Sequence, residues 1–176
     1  MKKTIIINLF AGPGAGKSTL MSGLFYKLKT DGYNCEMATE FAKDLTWEKR
    51  FNTLEDQIYV FGKQQHRIYR LIGSVDIIIT DSPILLSYFY GPDNPELRGL
   101  VLSEFNKYEN INFYVHRVKK YNPAGRSQTE DEARELDGTI SARLIKLNVP
   151  FTIIPGNELG LEQAYKDILL YLEKYR

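Results

Sequence analysis

Residues 4 to 19 read Thr4-Ile5-Ile6-Ile7-Asn8-Leu9-Phe10-Ala11-Gly12-Pro13-Gly14-Ala15-Gly16-Lys17-Ser18-Thr19, and the side chains divide this stretch into three parts. Thr4 to Phe10 is a near-continuous apolar run of strand length, suited to burial on both faces. Ala11 to Gly16 carries three glycines and a proline, so no regular element continues through it. After it Leu20, Met21, Leu24, Phe25 and Leu28 recur at helical spacing until Asp31-Gly32 stops them. A strand that turns through glycines into a helix aims backbone N–H groups and the positive end of the helix dipole at one spot, which suits a polyanion.

Gly16-Lys17-Ser18 adds a cation and a hydroxyl, completing the phosphate-loop pattern GxxxxGK[ST], with Ala11 where the pattern has its first glycine. The expected nucleotide contacts are Gly12, Pro13, Gly14, Ala15, Gly16, Lys17, Ser18 and Thr19. Lys17 reaches the β/γ-phosphates and is a catalytic cation, while Ser18 ligates Mg²⁺. ATP and Mg²⁺ are the predicted ligands. The competing reading is an ordinary glycine-rich turn, and the strand before it and the helix after it argue against that.

Further along, β-branched runs alternate with helical stretches. Strands are expected at Tyr33 to Thr39, Val75 to Thr80, Ile111 to His116 and Phe151 to Ile154. Between the second and third strands Leu54, Ile58, Phe61, Ile68 and Ile72 predict one long amphipathic helix with Gln65 on its apolar face. Thr129 with Glu132 reads as a capping box opening a helix toward Leu147, and a last helix spans about Leu161 to Tyr171. The whole chain, 1–176, reads as a single α/β domain with a parallel sheet covered by helices on both faces.

Composition narrows the function classes. The chain has 23 basic and 22 acidic residues, so no global field draws it to nucleic acid or membrane and any anion recognition is local. Cys35, the one cysteine, has no internal partner and reads as a buried strand residue, which points to a reducing, cytoplasmic setting. The apolar run near the N-terminus ends in glycines far short of the ~20 residues of a membrane span, and no signal peptide is read. The two histidines, His66 and His116, are too few for a histidine-based metal site.

In open α/β sheets the reacting groups project from the carboxyl ends of the strands. Asp81 follows the third strand, in Thr80-Asp81-Ser82-Pro83, as the metal-holding carboxylate or as a cap of the next helix. Glu40 follows the second strand, as a base toward an acceptor hydroxyl or as an exposed residue of a helix first turn, with Asp44 as a weaker competitor. Arg117 to Arg126 contains four cations and no acid. It reads as a lid, about 117–128, that supplies Arg117 and Arg126 to the transferred phosphoryl group, or as a solvated basic loop. Gln64, Gln65 and Arg67 are candidate acceptor contacts; for Trp47 and Tyr59 an acceptor pocket and core packing both stand.

The segments AGPGAGKST, TEFAKD, DQIYVFGKQQHR and TDSP together resemble the AAA-like ATPases related to the ribosylnicotinamide kinase domain, over nearly the whole chain. The lid, YNPAGRSQTEDEARELD, is similar to that of small kinase-like ATPases of bacterial viruses, including 5-hydroxymethyluracil DNA kinases. The resemblance implies a P-loop NTPase three-layer sandwich with strand order 2-3-1-4-5, Mg-ATP at Lys17 and Ser18, and an acceptor between Glu40, Asp81 and the long helix. The expected activity is transfer of the γ-phosphoryl group of ATP to a hydroxyl of a nucleoside, nucleotide or modified nucleobase. Hydroxymethylated pyrimidine within DNA is an alternative acceptor. An ATPase switch with no acceptor is a different class, and a module that retains ATP structurally is a further option.

Overall fold

The computed structural model describes residues 4–91, 93–124 and 128–175. Five strands form one parallel sheet: β1 (Ile5–Phe10), β2 (Cys35–Ala38), β3 (Ile77–Thr80), β4 (Glu109–His116) and β5 (Thr152–Pro155), in the order β2-β3-β1-β4-β5. This is the expected P-loop NTPase arrangement. The helices are α1 (Lys17–Thr30), α2 (Phe41–Trp47), α3 (Phe51–Glu55), α4 (Gln57–Tyr69), α5 (Leu86–Tyr90), α6 (Pro95–Phe105), α7 (Glu130–Lys146) and α8 (Glu158–Tyr175).

Because side chains alternate along a strand, β1 serves two cores. Ile7 and Leu9 pack with Leu20, Met21, Leu24 and Leu28 of α1 and with Ala164, Ile168 and Leu172 of α8. Ile6 and Phe10 face the other way, into a core completed by Phe61 and Ile68 of α4, α5, Leu97 and Val101 of α6, and Ile140 and Leu144 of α7. Full burial of each such Val, Leu, Ile, Phe or Met side chain contributes about 1.5–3 kcal/mol. Asn8 interrupts the apolar run and is nonetheless buried. Its amide donates to Asn110 Oδ1 at 2.9 Å and to Asn112 Oδ1 at 3.0 Å, and the amides of those two donate onward to the Phe105 and Pro150 carbonyls, so a hydrogen-bonded polar rung joins β1 to β4.

The long helix is a correction. Asp56, at φ −74° and ψ 84°, leaves the helical region and its carboxylate caps α4 by accepting from the Tyr59 N–H, so α3 and α4 are separate helices. The apolar face is rotated from the expected one. Val60, Phe61, Gln64 and Ile68 are buried, while Ile58 is 63% exposed. Leu54 belongs to the preceding helix and Ile72 follows α4, so counting from them set the register wrongly. Gln64, not Gln65, occupies the buried slot, where its Oε1 accepts from the Phe41 N–H at 2.9 Å and its Nε2 is buried with no hydrogen-bond partner among the described residues.

Strand bounds shift by one or two residues. β2 and β3 are shorter than expected, β4 begins earlier at Glu109, and β5 starts one residue later. The Thr129–Glu132 capping box forms and opens α7, whereas the last helix is longer at both ends than its periodicity indicated. Among the described residues no helix is long and apolar enough to cross a membrane.

Candidate functional site

Parallel strands place their carboxyl ends along one edge. Asn8 of β1 pairs with Thr80, and Thr80 with Ala38, so the loop after β1 and Glu40 beyond β2 open onto the same cleft, with Asp81 after β3 buried beneath its Ser18. Its volume is about 430 Å³. One wall is the phosphate loop with Pro13, Gly14, Gly16, Lys17, Ser18 and Thr19; the facing wall is Glu40, Lys43, Thr46 and Trp47. Lys119, Lys120, Asn122, Ala124 and Gln128 from the segment between β4 and α7 close a third side.

The loop is held from behind. Gly16 adopts φ 111°, and a Cβ there would stand 2.9 Å from the Gly156 carbonyl oxygen in the turn after β5, so only glycine fits. Lys17 Nζ donates to the carbonyls of Ala11 at 2.7 Å and Gly12 at 2.8 Å. Although the residue as a whole is only part-buried, its ammonium is enclosed by the loop, and burial lowers its pKa from the ordinary lysine value. The charges of Glu40, Asp81 and Asp137 oppose that shift, and Arg117 adds to it.

Asp81 is buried, and its Oδ2 accepts from Ser18 Oγ at 2.5 Å. Its Oδ1 is also buried and has no hydrogen-bond partner among the described residues. The helix that follows is entered through Leu85, so Asp81 is not its cap. Glu40 is the N-cap residue of α2 by position, makes no side-chain capping bond, and lines the cleft half-buried.

Arg117 does not line the cleft. It lies behind the loop, with Nε donating to Asp137 Oδ2 at 2.9 Å and Nη2 to the Pro13 carbonyl at 2.9 Å; its side chain is 3% exposed. The other carboxylate oxygen of Asp137 accepts from the Gly12 N–H at 2.6 Å. Asp137 therefore ties the phosphate loop to both α7 and the segment that follows β4. Arg117 Nη1 is buried and unpartnered, and a Cβ at Gly14 would lie 3.2 Å from it. Arg126 lies outside the described residues.

The acceptor candidates on α4 sit elsewhere. Gln64 is buried on the Phe41 N–H, and Gln65 reaches the Tyr108 hydroxyl at 3.5 Å. Arg67 pairs with Asp44, donates to the Thr39 carbonyl at 3.1 Å and lies over the Phe41 ring, clamping α4 to the β2–α2 junction. Tyr59 packs edge-on against Phe41. Trp47, for which core packing was one reading, is 62% exposed on the cleft wall.

Sequence reasoning overlooked Asp137, Lys43 and Tyr90. Tyr90 is 39% exposed as a residue, but its hydroxyl end is enclosed; that enclosure raises the hydroxyl pKa, the charges of Glu40 and Asp137 raise it further, and the group stays protonated. Asp137 had a signal: it falls four residues after buried Ala133 and three before buried Ile140, a carboxylate on the apolar stripe of α7.

A model of the AAA domain matches residues 6–160. The chain belongs to the AAA-domain family. Comparison with curated proteins gives no match. The AAA-domain match and the strand order together make it a nucleotide-binding protein of the P-loop NTPase type.

The oxygen donors beside the loop fit Mg²⁺. A buried carboxylate oxygen with no partner costs desolvation energy that a hard cation would offset. Asp81 Oδ1 is such an atom, and Ser18 Oγ stands beside the same carboxylate. No group of three or more His, Cys, Asp or Glu side chains of metal-holding geometry occurs among the described residues.

Proposed function

We propose that this AAA-domain chain is a kinase that transfers the γ-phosphoryl group of ATP to a hydroxyl of a nucleoside, nucleotide or modified nucleobase. In this reading it is similar to the ribosylnicotinamide kinase and 5-hydroxymethyluracil DNA kinase types. The observation that carries the reading is the facing wall of the cleft. An ATPase needs only the loop and a water, whereas here Glu40, Lys43, Thr46 and Trp47 line the same cleft as Lys17.

The loop amides and Lys17 hold the phosphates, and Ser18 and Asp81 hold Mg²⁺. The metal, when bound, neutralises charge on the phosphate oxygens. Glu40 accepts the proton of the acceptor hydroxyl as its oxygen bonds to the γ-phosphorus; the bond to the β-phosphate oxygen breaks, and its electron pair leaves with ADP. Arg117, fixed by Asp137, holds the Pro13 carbonyl and presents Nη1 behind Gly14, while Asp137 itself holds the Gly12 N–H. Positioning and electrostatics supply most of the rate in such a reaction.

The test is incubation with Mg²⁺ and γ-labelled ATP against nucleosides, nucleoside monophosphates, ribosylnicotinamide and hydroxymethyluracil-containing DNA. Label in an acceptor, lost in Glu40→Gln, is the expected result. ATP consumption at one rate with no labelled acceptor across the panel replaces the kinase reading with an ATPase switch.

A further inference from the structure

The facing wall has features that phosphoryl transfer to a neutral alcohol does not require. Glu40, Lys43, Thr46 and Trp47 fall three, six and seven residues apart from the first, the spacing of one helix face, and all four line the cleft. Leu45, on the opposite side of α2, is buried, and the Asp44–Arg67 pair anchors the helix to α4. The face toward the cleft is thus presented by a fixed element.

On that face Trp47 is the one tryptophan of the chain, 62% exposed, with no ring or cation neighbour among the described residues. Lys43 on the same face and Lys119 and Lys120 across the gap are exposed and form no ion pair among the described residues. Three uncompensated ammonium groups converge on one cleft in a chain whose net charge is +1. A bare indole face beside lysines is the composition that binds a nucleic-acid base by stacking while cations hold its phosphate. The lysines at the lid can serve ATP; Lys43, one turn from Glu40 on the far wall, cannot be assigned to the phosphate loop by position.

Building on the kinase reading, we propose that the acceptor is a phosphate-bearing nucleotide unit, its base stacked on Trp47 and its phosphate held by Lys43 with Lys119 and Lys120. That selects nucleotides, free or within a strand, over neutral nucleosides.

Because Trp47 is the sole tryptophan, its emission reports this wall alone. The full chain, saturated with Mg²⁺ and a non-hydrolysable ATP analogue, is titrated separately with deoxynucleoside monophosphates, the matching nucleosides, ribose 5-phosphate and a short single-stranded deoxyoligonucleotide. Monophosphate or oligonucleotide is expected to quench Trp47 at concentrations at least ~10-fold below those of the nucleoside. Ribose 5-phosphate should compete without quenching. Whichever of monophosphate and oligonucleotide binds more tightly identifies the source of the unit. Lys43→Gln should weaken the phosphate-bearing ligand ~10-fold and leave the nucleoside unchanged. Equal half-points for nucleotide and nucleoside overturn the proposal, as does complete quenching by the ATP analogue alone, which would place adenine on Trp47. A ligand that quenches yet accepts no label removes the kinase reading and keeps this site; label transferred to a ligand that never perturbs Trp47 does the reverse.

Discussion

Replacing Asp137 by alanine tests how the phosphate loop is supported. The substitution removes the Nε–Oδ2 contact to Arg117 and the bond from the Gly12 N–H, and leaves a guanidinium with 3% side-chain exposure bonded only to the Pro13 carbonyl. Removing one partner of a buried ion pair costs about 3–5 kcal/mol. Asp137 is itself 14% exposed, so water can partly replace it and the low end, ~3 kcal/mol, applies. For a chain of this size that corresponds to a Tm lower by about 6–12 °C. Urea unfolding without nucleotide should show a lower midpoint and an unchanged slope. Arg117→Met combined with Asp137→Ala buries no unmatched charge, so the pair should cost ~2–3 kcal/mol less than the sum of the singles. A loss below about 1 kcal/mol for Asp137→Ala, or additivity within ~0.5 kcal/mol, would refute the claim that this pair supports the loop.

Lys17→Met should abolish stabilisation by Mg-ATP, which for the unaltered chain is about 2.7 kcal/mol at a hundredfold excess over Kd, without lowering nucleotide-free stability. The sign follows from its lowered pKa: the unfolded chain keeps the Lys17 proton to higher pH than the folded one, so stability rises with pH between the lowered value and 10.5. Unfolding measured across that window should lose this slope in Lys17→Met. Asp81→Asn should reduce ATP affinity in the presence of Mg²⁺ and change it little in EDTA, read by equilibrium dialysis; equal loss in both would remove Asp81 from the metal. Gly16→Ala forces an alanine to φ 111° against the Gly156 carbonyl and should cost about 1–3 kcal/mol in thermal unfolding, with a wild-type Tm counting against the loop geometry.

The parts legible in the sequence are those dictated by local chemistry. Glycines between an apolar run and a helical period forced the loop at 11–18, and Asp81 was readable because it directly ends the Ile77–Thr80 run. Thr129 and Glu132 announced α7 since a capping box is complete within four residues. The misread parts depend on distant partners. Gln64 is buried because a backbone N–H 23 residues away meets it, which no periodicity in α4 encodes. Arg117 looked like a lid residue from its cationic neighbours, whereas Asp137, 20 residues on, draws it behind the loop. Trp47 points to the cleft because Leu45 takes the buried side of α2, a competition visible only once the sheet is assembled.

The central position of β1 has a consequence for the order of assembly. Its neighbours β3 and β4 pair with Ile5 through Ile77 and Glu109, roughly 70 and 100 residues later in the chain. During synthesis the phosphate loop is therefore made long before either strand that fixes it, and its apolar flank must wait for loops of high closure entropy. The contacts with Arg117, Asp137 and Gly156 come later still. Nucleotide competence thus waits for synthesis to pass Gly156, and ATP can protect a chain that has reached that point far better than a shorter one.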